Sequence, residues 1–131
     1  MRIVLDASII IAVITNEDSK KKIIDITTDA DLISPESIHW EIGNAFSAMF
    51  KKHLINFNEM QSAIKIYNNI PINFVPVEIE SSLGIAFNNN IYAYDAYLLE
   101  CAIKYKSPLL TLDLPLIKVA QQIGIETLRL N

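Results

Sequence analysis

One cysteine, two arginines and no long apolar run are the shortages that constrain this 131-residue chain most. A lone Cys101 has no partner for an internal disulfide, so packing must hold the fold, and a reducing cytoplasm is the expected setting. Flanked by Leu98, Leu99, Ala102 and Ile103, it reads as a small buried hydrophobe. The densest apolar stretch, Ile9 to Ile14, falls far short of the ~20 residues needed to cross a bilayer. The opening Met1-Arg2-Ile3-Val4-Leu5-Asp6 sets an acid where a secretion signal would carry its apolar centre. No membrane segment is expected. Basic charge is scarce as well: 11 Lys and Arg against 15 Asp and Glu leave a net charge of -4. That excludes a protein that coats nucleic acid by bulk electrostatics. It does not exclude an enzyme that reaches phosphates through a bound divalent cation, which inverts the local sign. No linker or repeat divides the chain, so residues 1–131 are expected to form a single domain, with Asn88-Asn89-Asn90 as a helix-ending loop.

What is present is apolar mass: 51% hydrophobic against 20% charged residues, enough to bury a core. Short apolar runs at Ile3 to Leu5, Leu32-Ile33, Phe74-Val75, Leu109 to Leu112 and Thr127 to Leu130 predict five strands. Helical spacing predicts helices over Ile9 to Ile14, Ser19 to Thr27, Ile38 to Lys52, Asn58 to Tyr67, Ile79 to Asn88, Ala93 to Tyr105 and Leu114 to Ile123, with Asn56 or Asn58 as a cap. Strand and helix alternate throughout. Parallel strands need crossover connections and helices supply them, so the expected fold class is α/β, a three-layer domain around a mostly parallel sheet.

Four acids stand where such a fold collects ligands. Asp6 closes the first strand and Asp113 follows the fourth, and in open α/β sheets ligands bind outside the carboxyl ends of strands, where strand order reverses. The plainer reading has both acids capping the helices that follow, which is compatible with binding, since a capping carboxylate keeps free lone pairs. Glu41 borders the apolar stripe Ile38, Ile42, Ala45, Met49, with Asn44 one turn on to orient it. Asp95 lies in the first turn of an otherwise apolar helix, where the helix dipole favours its charge. Four carboxylates in one dry cleft repel unless cations share them. Oxygen-only ligation, with no Cys or His cluster, points to Mg2+ or Mn2+.

The ordered segments Val4-Leu5-Asp6-Ala7-Ser8, Glu41-Ile42-Gly43-Asn44-Ala45, Tyr94-Asp95-Ala96-Tyr97-Leu98 and Thr111-Leu112-Asp113 resemble the motifs of PIN domains, and within them the VapC-type toxins of prokaryotic toxin-antitoxin pairs. The resemblance spans nearly the whole chain. It implies a five-stranded parallel sheet with the first and fourth strands adjacent, metal-dependent endoribonuclease activity leaving 5'-phosphate and 3'-hydroxyl ends, frequent homodimers, and inhibition by a small cognate antitoxin protein. Residue by residue, Asp6, Glu41, Asp95 and Asp113 match the family's acidic positions. Ser8 and Thr111 match its nearby hydroxyl positions, to orient carboxylates or phosphate.

A homodimer is also expected from the apolar content, more than one modest core readily hides. Lys51, Lys52 and His53, like Lys20 to Lys22, read first as solvated charge, and His39, Trp40 and Tyr97 as packing aromatics rather than base contacts. A phosphoryl-accepting regulatory domain is disfavoured, because Asp6 has no acidic neighbour and no Lys follows the last strand. A haloacid-dehalogenase-like phosphatase lacks its second Asp in Asp6-Ala7-Ser8. The competing expectation is a PIN scaffold that binds RNA or protein partners without cleaving.

Overall fold

The computed structural model describes residues 1–130. Its first strand, β1 (Arg2–Leu5), carries Ile3, Val4 and Leu5 at 0%, 0% and 3% exposure. Neighbouring strand residues point to opposite faces, so burial of all three requires cover on both sides of the sheet. The helices provide it.

In chain order β1 is followed by α1 (Ala7–Ile14), α2 (Lys20–Thr27), β2 (Asp31–Pro35), α3 (Ile38–Lys51), α4 (Phe57–Asn69), β3 (Ile72–Val75), α5 (Ile79–Asn89), α6 (Ala93–Lys104), β4 (Leu109–Leu110) and α7 (Leu114–Gln122). Local chemistry sets several of these limits. Asn56 and Glu59 close a reciprocal capping box at the start of α4, satisfying two otherwise orphaned amides. Asn90 ends α5 in the left-handed region at φ 53, which asparagine tolerates better than most residues. α6 packs over β1, β2 and β4, with Ala96, Leu98, Leu99 and Cys101 at 0% exposure. Cys101 is thus the small core residue expected, and burial lifts its thiol pKa to about 12. No helix among the described residues is long and apolar enough to cross a membrane.

The sheet is parallel with order β3-β2-β1-β4. The chain steps outward from β1 to β3, then crosses to the other side for β4, so strand order reverses between β1 and β4. A crevice opens there, at the carboxyl ends. The expected adjacency of first and fourth strands holds.

The expected fifth strand does not form as a strand. Among the described residues, Thr127 to Leu130 makes a single parallel bridge, Leu109 to Thr127, with Leu128 N donating to Leu109 O at 3.0 Å. The cause lies in β4, which stops at Leu110 rather than Leu112. Beyond it, Leu112 N donates to Ser8 Oγ and Asp113 N to Thr111 Oγ1, each at 3.0 Å. These bonds hold the chain beyond Leu110 off a strand path, so too little of β4 remains for a neighbour to pair along.

Candidate active site

Asp6 is the fixed point of the crevice. It is 5% exposed, and its carboxylate is held on three sides: Oδ1 accepts from Ala7 N at 2.7 Å, while Oδ2 accepts from Ser8 Oγ at 2.8 Å and Thr111 Oγ1 at 2.5 Å. The two hydroxyls lie 3.3 Å apart. One donor comes from the first turn of α1 and the other from the end of β4, so Asp6 ties the two ends of the chain together. Hydrogen bonds to an ionised oxygen are short and strong, which makes this carboxylate rigid. Both capping expectations also hold, since Asp6 caps α1 and Asp113 Oδ1 accepts from Leu116 N at 3.2 Å to cap α7.

Glu41 comes from the first turn of α3, whose inner face is Ile38, Ile42 and Phe46, all at 3% exposure or less. That packing draws the carboxyl inward. Its Oε2 is buried and has no hydrogen-bond partner, and its pKa is raised to about 8, first by burial and then by the charges of Asp6 and Asp95. Asp95, half-buried in the first turn of α6, has its pKa raised by burial, by Asp113 and by Asp6. The four acids therefore lie in one electrostatic field, each coupled to at least one other. Among the described residues no three His, Cys, Asp or Glu side chains gather closely enough to hold one ion as placed. What they share is crowding of acids that raises the pKa of Glu41 and Asp95, not a finished coordination sphere.

Ser8 and Thr111 stand where the sequence reading put them. Asn44 does not: it is exposed, and among the described residues no hydrogen bond joins it to Glu41. Glu41 leans to the buried side of α3 while Asn44 faces solvent. Two serines escaped the sequence reading. Ser34, fully buried on β2, donates from Oγ to Leu5 O at 2.8 Å, replacing the ladder bond where β1 and β2 begin to part. Ser37, one turn before Glu41, holds a second buried, unpartnered oxygen. Nothing in Ile33-Ser34-Pro35 marks a hydroxyl that will meet a strand 29 positions away, because register is a tertiary property.

The aromatics behave mostly as expected. His39 packs 4.2 Å from Phe74 between ring centroids and shares a 2.7 Å hydrogen bond with Tyr67 OH, while Trp40 is 64% exposed. Lys51, Lys52 and His53 are solvent-facing at the far end of α3.

The PIN domain family matches residues 3–122. The chain belongs to that family. Among solved structures, this PIN domain is similar to the Pyrobaculum aerophilum protein PAE2754, at TM-score 0.71 and 18% identity over 91% of this chain and 79% of that one. It is also similar to VapBC2 from Rickettsia felis, solved bound to a DNA fragment from their promoter, at TM-score 0.67 and 14% identity over 98% of each chain. A third likeness, at TM-score 0.57 and 22% identity over 99% and 91%, is to a domain of a functionally unknown protein from Methanocaldococcus jannaschii. Among curated proteins, none matches the sequence.

Proposed function

We propose that this PIN domain is a metal-dependent endoribonuclease, hydrolysing RNA phosphodiester bonds as the toxin of a type II toxin-antitoxin pair. The observation that carries the reading is Glu41. A carboxyl with a buried, unpartnered oxygen beside two more acids is costly in any protein unless a cation is meant to meet it.

The donor set fits such a cation in its chemistry: four carboxylates, two hydroxyls in support, and no soft ligand. Asp6, Asp95 and Asp113 would hold Mg2+ or Mn2+ directly or through water, with Glu41 completing the negative wall. When bound, such an ion would supply a nucleophilic water at neutral pH and stabilise charge on the phosphate and leaving oxygen. The chain's own residues do the rest. Ser8 and Thr111 fix the rotamer of Asp6 so that it does not have to reorganise during reaction. Glu41, its pKa raised to about 8, holds a proton that a bound cation would displace. The carboxyl-end crevice leaves a polynucleotide chain free to enter and leave along the surface.

The likeness to VapBC2 supports a cognate antitoxin as partner. An arginine from such a partner suits a cleft of acids, because guanidinium binds carboxylates bidentately. A homodimer is supported by α5, which exposes Ile79 at 65%, Leu83 at 49% and Phe87 at 87% along one face. The deciding experiment sequences RNA ends after controlled expression of the wild type and Asp6→Asn. New 5'-phosphate ends confined to the wild type are expected; identical end profiles would remove the nuclease reading.

A further inference from the structure

We infer that the cavity on the Thr111 side of the acids binds one nucleotide of the RNA strand, with Arg129 holding a phosphate next to the one that is cleaved. The inference rests on the nuclease reading above and names a substrate subsite for it.

Cations are the scarce resource of this molecule. It carries a net charge of -4 and a wall of carboxylates, so an RNA strand must be held by groups placed against that repulsion. Of the two arginines, Arg2 begins β1 at the opposite end of the sheet from Asp6, where it donates to Tyr105 O at 3.3 Å and lies 5.9 Å from the Tyr105 ring. Lys104 is paired with Glu78 at 2.8 Å. Arg129 is placed differently. The parallel bridge of Leu109 to Thr127 sends the chain beyond Thr127 in the same direction as β4, so Arg129 comes level with Thr111. Both residues line one cavity of about 350 Å³ between α7 and this segment.

The cavity has the two characters a nucleotide needs. Leu112, Ile117 and the 75% exposed Leu114 supply an apolar wall for a base. Arg129 supplies a planar donor for phosphate, and the Gln121 amide, donating to Thr127 Oγ1 at 3.2 Å, offers polar groups at the rim. It is also continuous with the acids. Leu112 N bonds Ser8 Oγ and Thr111 bonds Asp6, so the cavity wall and the carboxylate network are the same piece of backbone. A polynucleotide whose phosphate sits at Asp6 has its neighbouring nucleotide here. An antitoxin arginine, by contrast, would meet like charge.

The test measures binding and cleavage of a short fluorescein-labelled single-stranded RNA of mixed sequence by the wild type, Arg129→Gln, Arg129→Lys and Leu114→Ser. Binding is read by anisotropy in chelator, and cleavage in Mg2+. Arg129→Gln is expected to raise Kd and KM about tenfold. The slope of log Kd against log salt should fall by about 0.7, the signature of one lost phosphate contact on a single strand. Arg129→Lys should recover part of the affinity, and Leu114→Ser should weaken binding without changing that slope. Both side chains are exposed, so unchanged thermal midpoints are expected and are measured alongside.

A wild type that cleaves while Arg129→Gln binds with unaltered Kd and slope overturns the subsite and leaves the nuclease reading standing. A wild type that neither binds nor cleaves overturns both. An Arg129→Gln variant whose mass in light scattering changes while RNA affinity does not assigns the cavity to a protein partner and also overturns the proposal.

Discussion

Glu41 takes up its proton near pH 8 in the folded chain against an ordinary value of 4.5, so between those values the folded state holds a proton that the unfolded state has released. Its contribution therefore favours folding below about pH 4.5 and is lost as pH rises toward 8. In chelator, the wild type should lose stability relative to Glu41→Gln across that window; urea midpoints for both proteins at several pH values check it, and parallel curves would refute it. Asp95 shifts in the same direction and adds to the slope. The hydroxyls make a different prediction. Thr111→Val removes the 2.5 Å bond to Asp6 and leaves that carboxylate held by Ser8 and the backbone alone. Losing such a support is expected to lower metal affinity or kcat about 10- to 100-fold with the fold retained, measured by Mg2+ titration of cleavage rate.

The elements were legible in proportion to how local their causes are. The capping box of α4 needs only Asn56 and Glu59, and the sequence offered Asn56 among its two candidates. Asn56→Ala is expected to cost about 1 kcal/mol in a denaturant titration, with cleavage unchanged, since α4 carries none of the four acids. α6 was legible from its apolar pattern, yet its depth was not: Leu99 is fully buried on this helix, and Leu99→Ala should cost roughly 2–5 kcal/mol by leaving a cavity. The fifth strand was misjudged because an apolar run reveals a strand's propensity, whereas pairing depends on what its neighbour has left to offer. β4 offers only Leu109 and Leu110 in strand geometry, and Leu109 alone meets the last segment. Ser34 and the freedom of Asn44 were hidden for a related reason: both depend on which side of an element faces the crevice. The four acids were proposed from the order of short motifs, each weak by itself, and the fold places them in one electrostatic field.

At the scale of the molecule, a divalent ion bound as proposed would relieve the repulsion among the crevice acids, so its binding should appear as stability. At Mg2+ a hundred times its Kd, mass action adds about 2.7 kcal/mol. A rise in thermal midpoint on adding Mg2+ to the wild type, absent in Asp6→Asn, is the expected result; equal rises in both would mean the ion binds elsewhere. The same whole-molecule geometry has a consequence in time. Asp6 and Thr111 are hydrogen-bonded across 105 positions of sequence, with the central strand waiting for the last strand to reach it. During synthesis at roughly 5–20 residues per second, Asp6 precedes its partner by on the order of ten seconds. Until then α1 can coil and β1 can pair with β2, but the crevice has only one wall. Fragments ending before Leu109 should collapse without acquiring the rigid Asp6 carboxylate, and the slowest step in refolding should be the arrival of β4. A nascent chain of this design lacks one wall of its acidic crevice until its last strand joins the sheet.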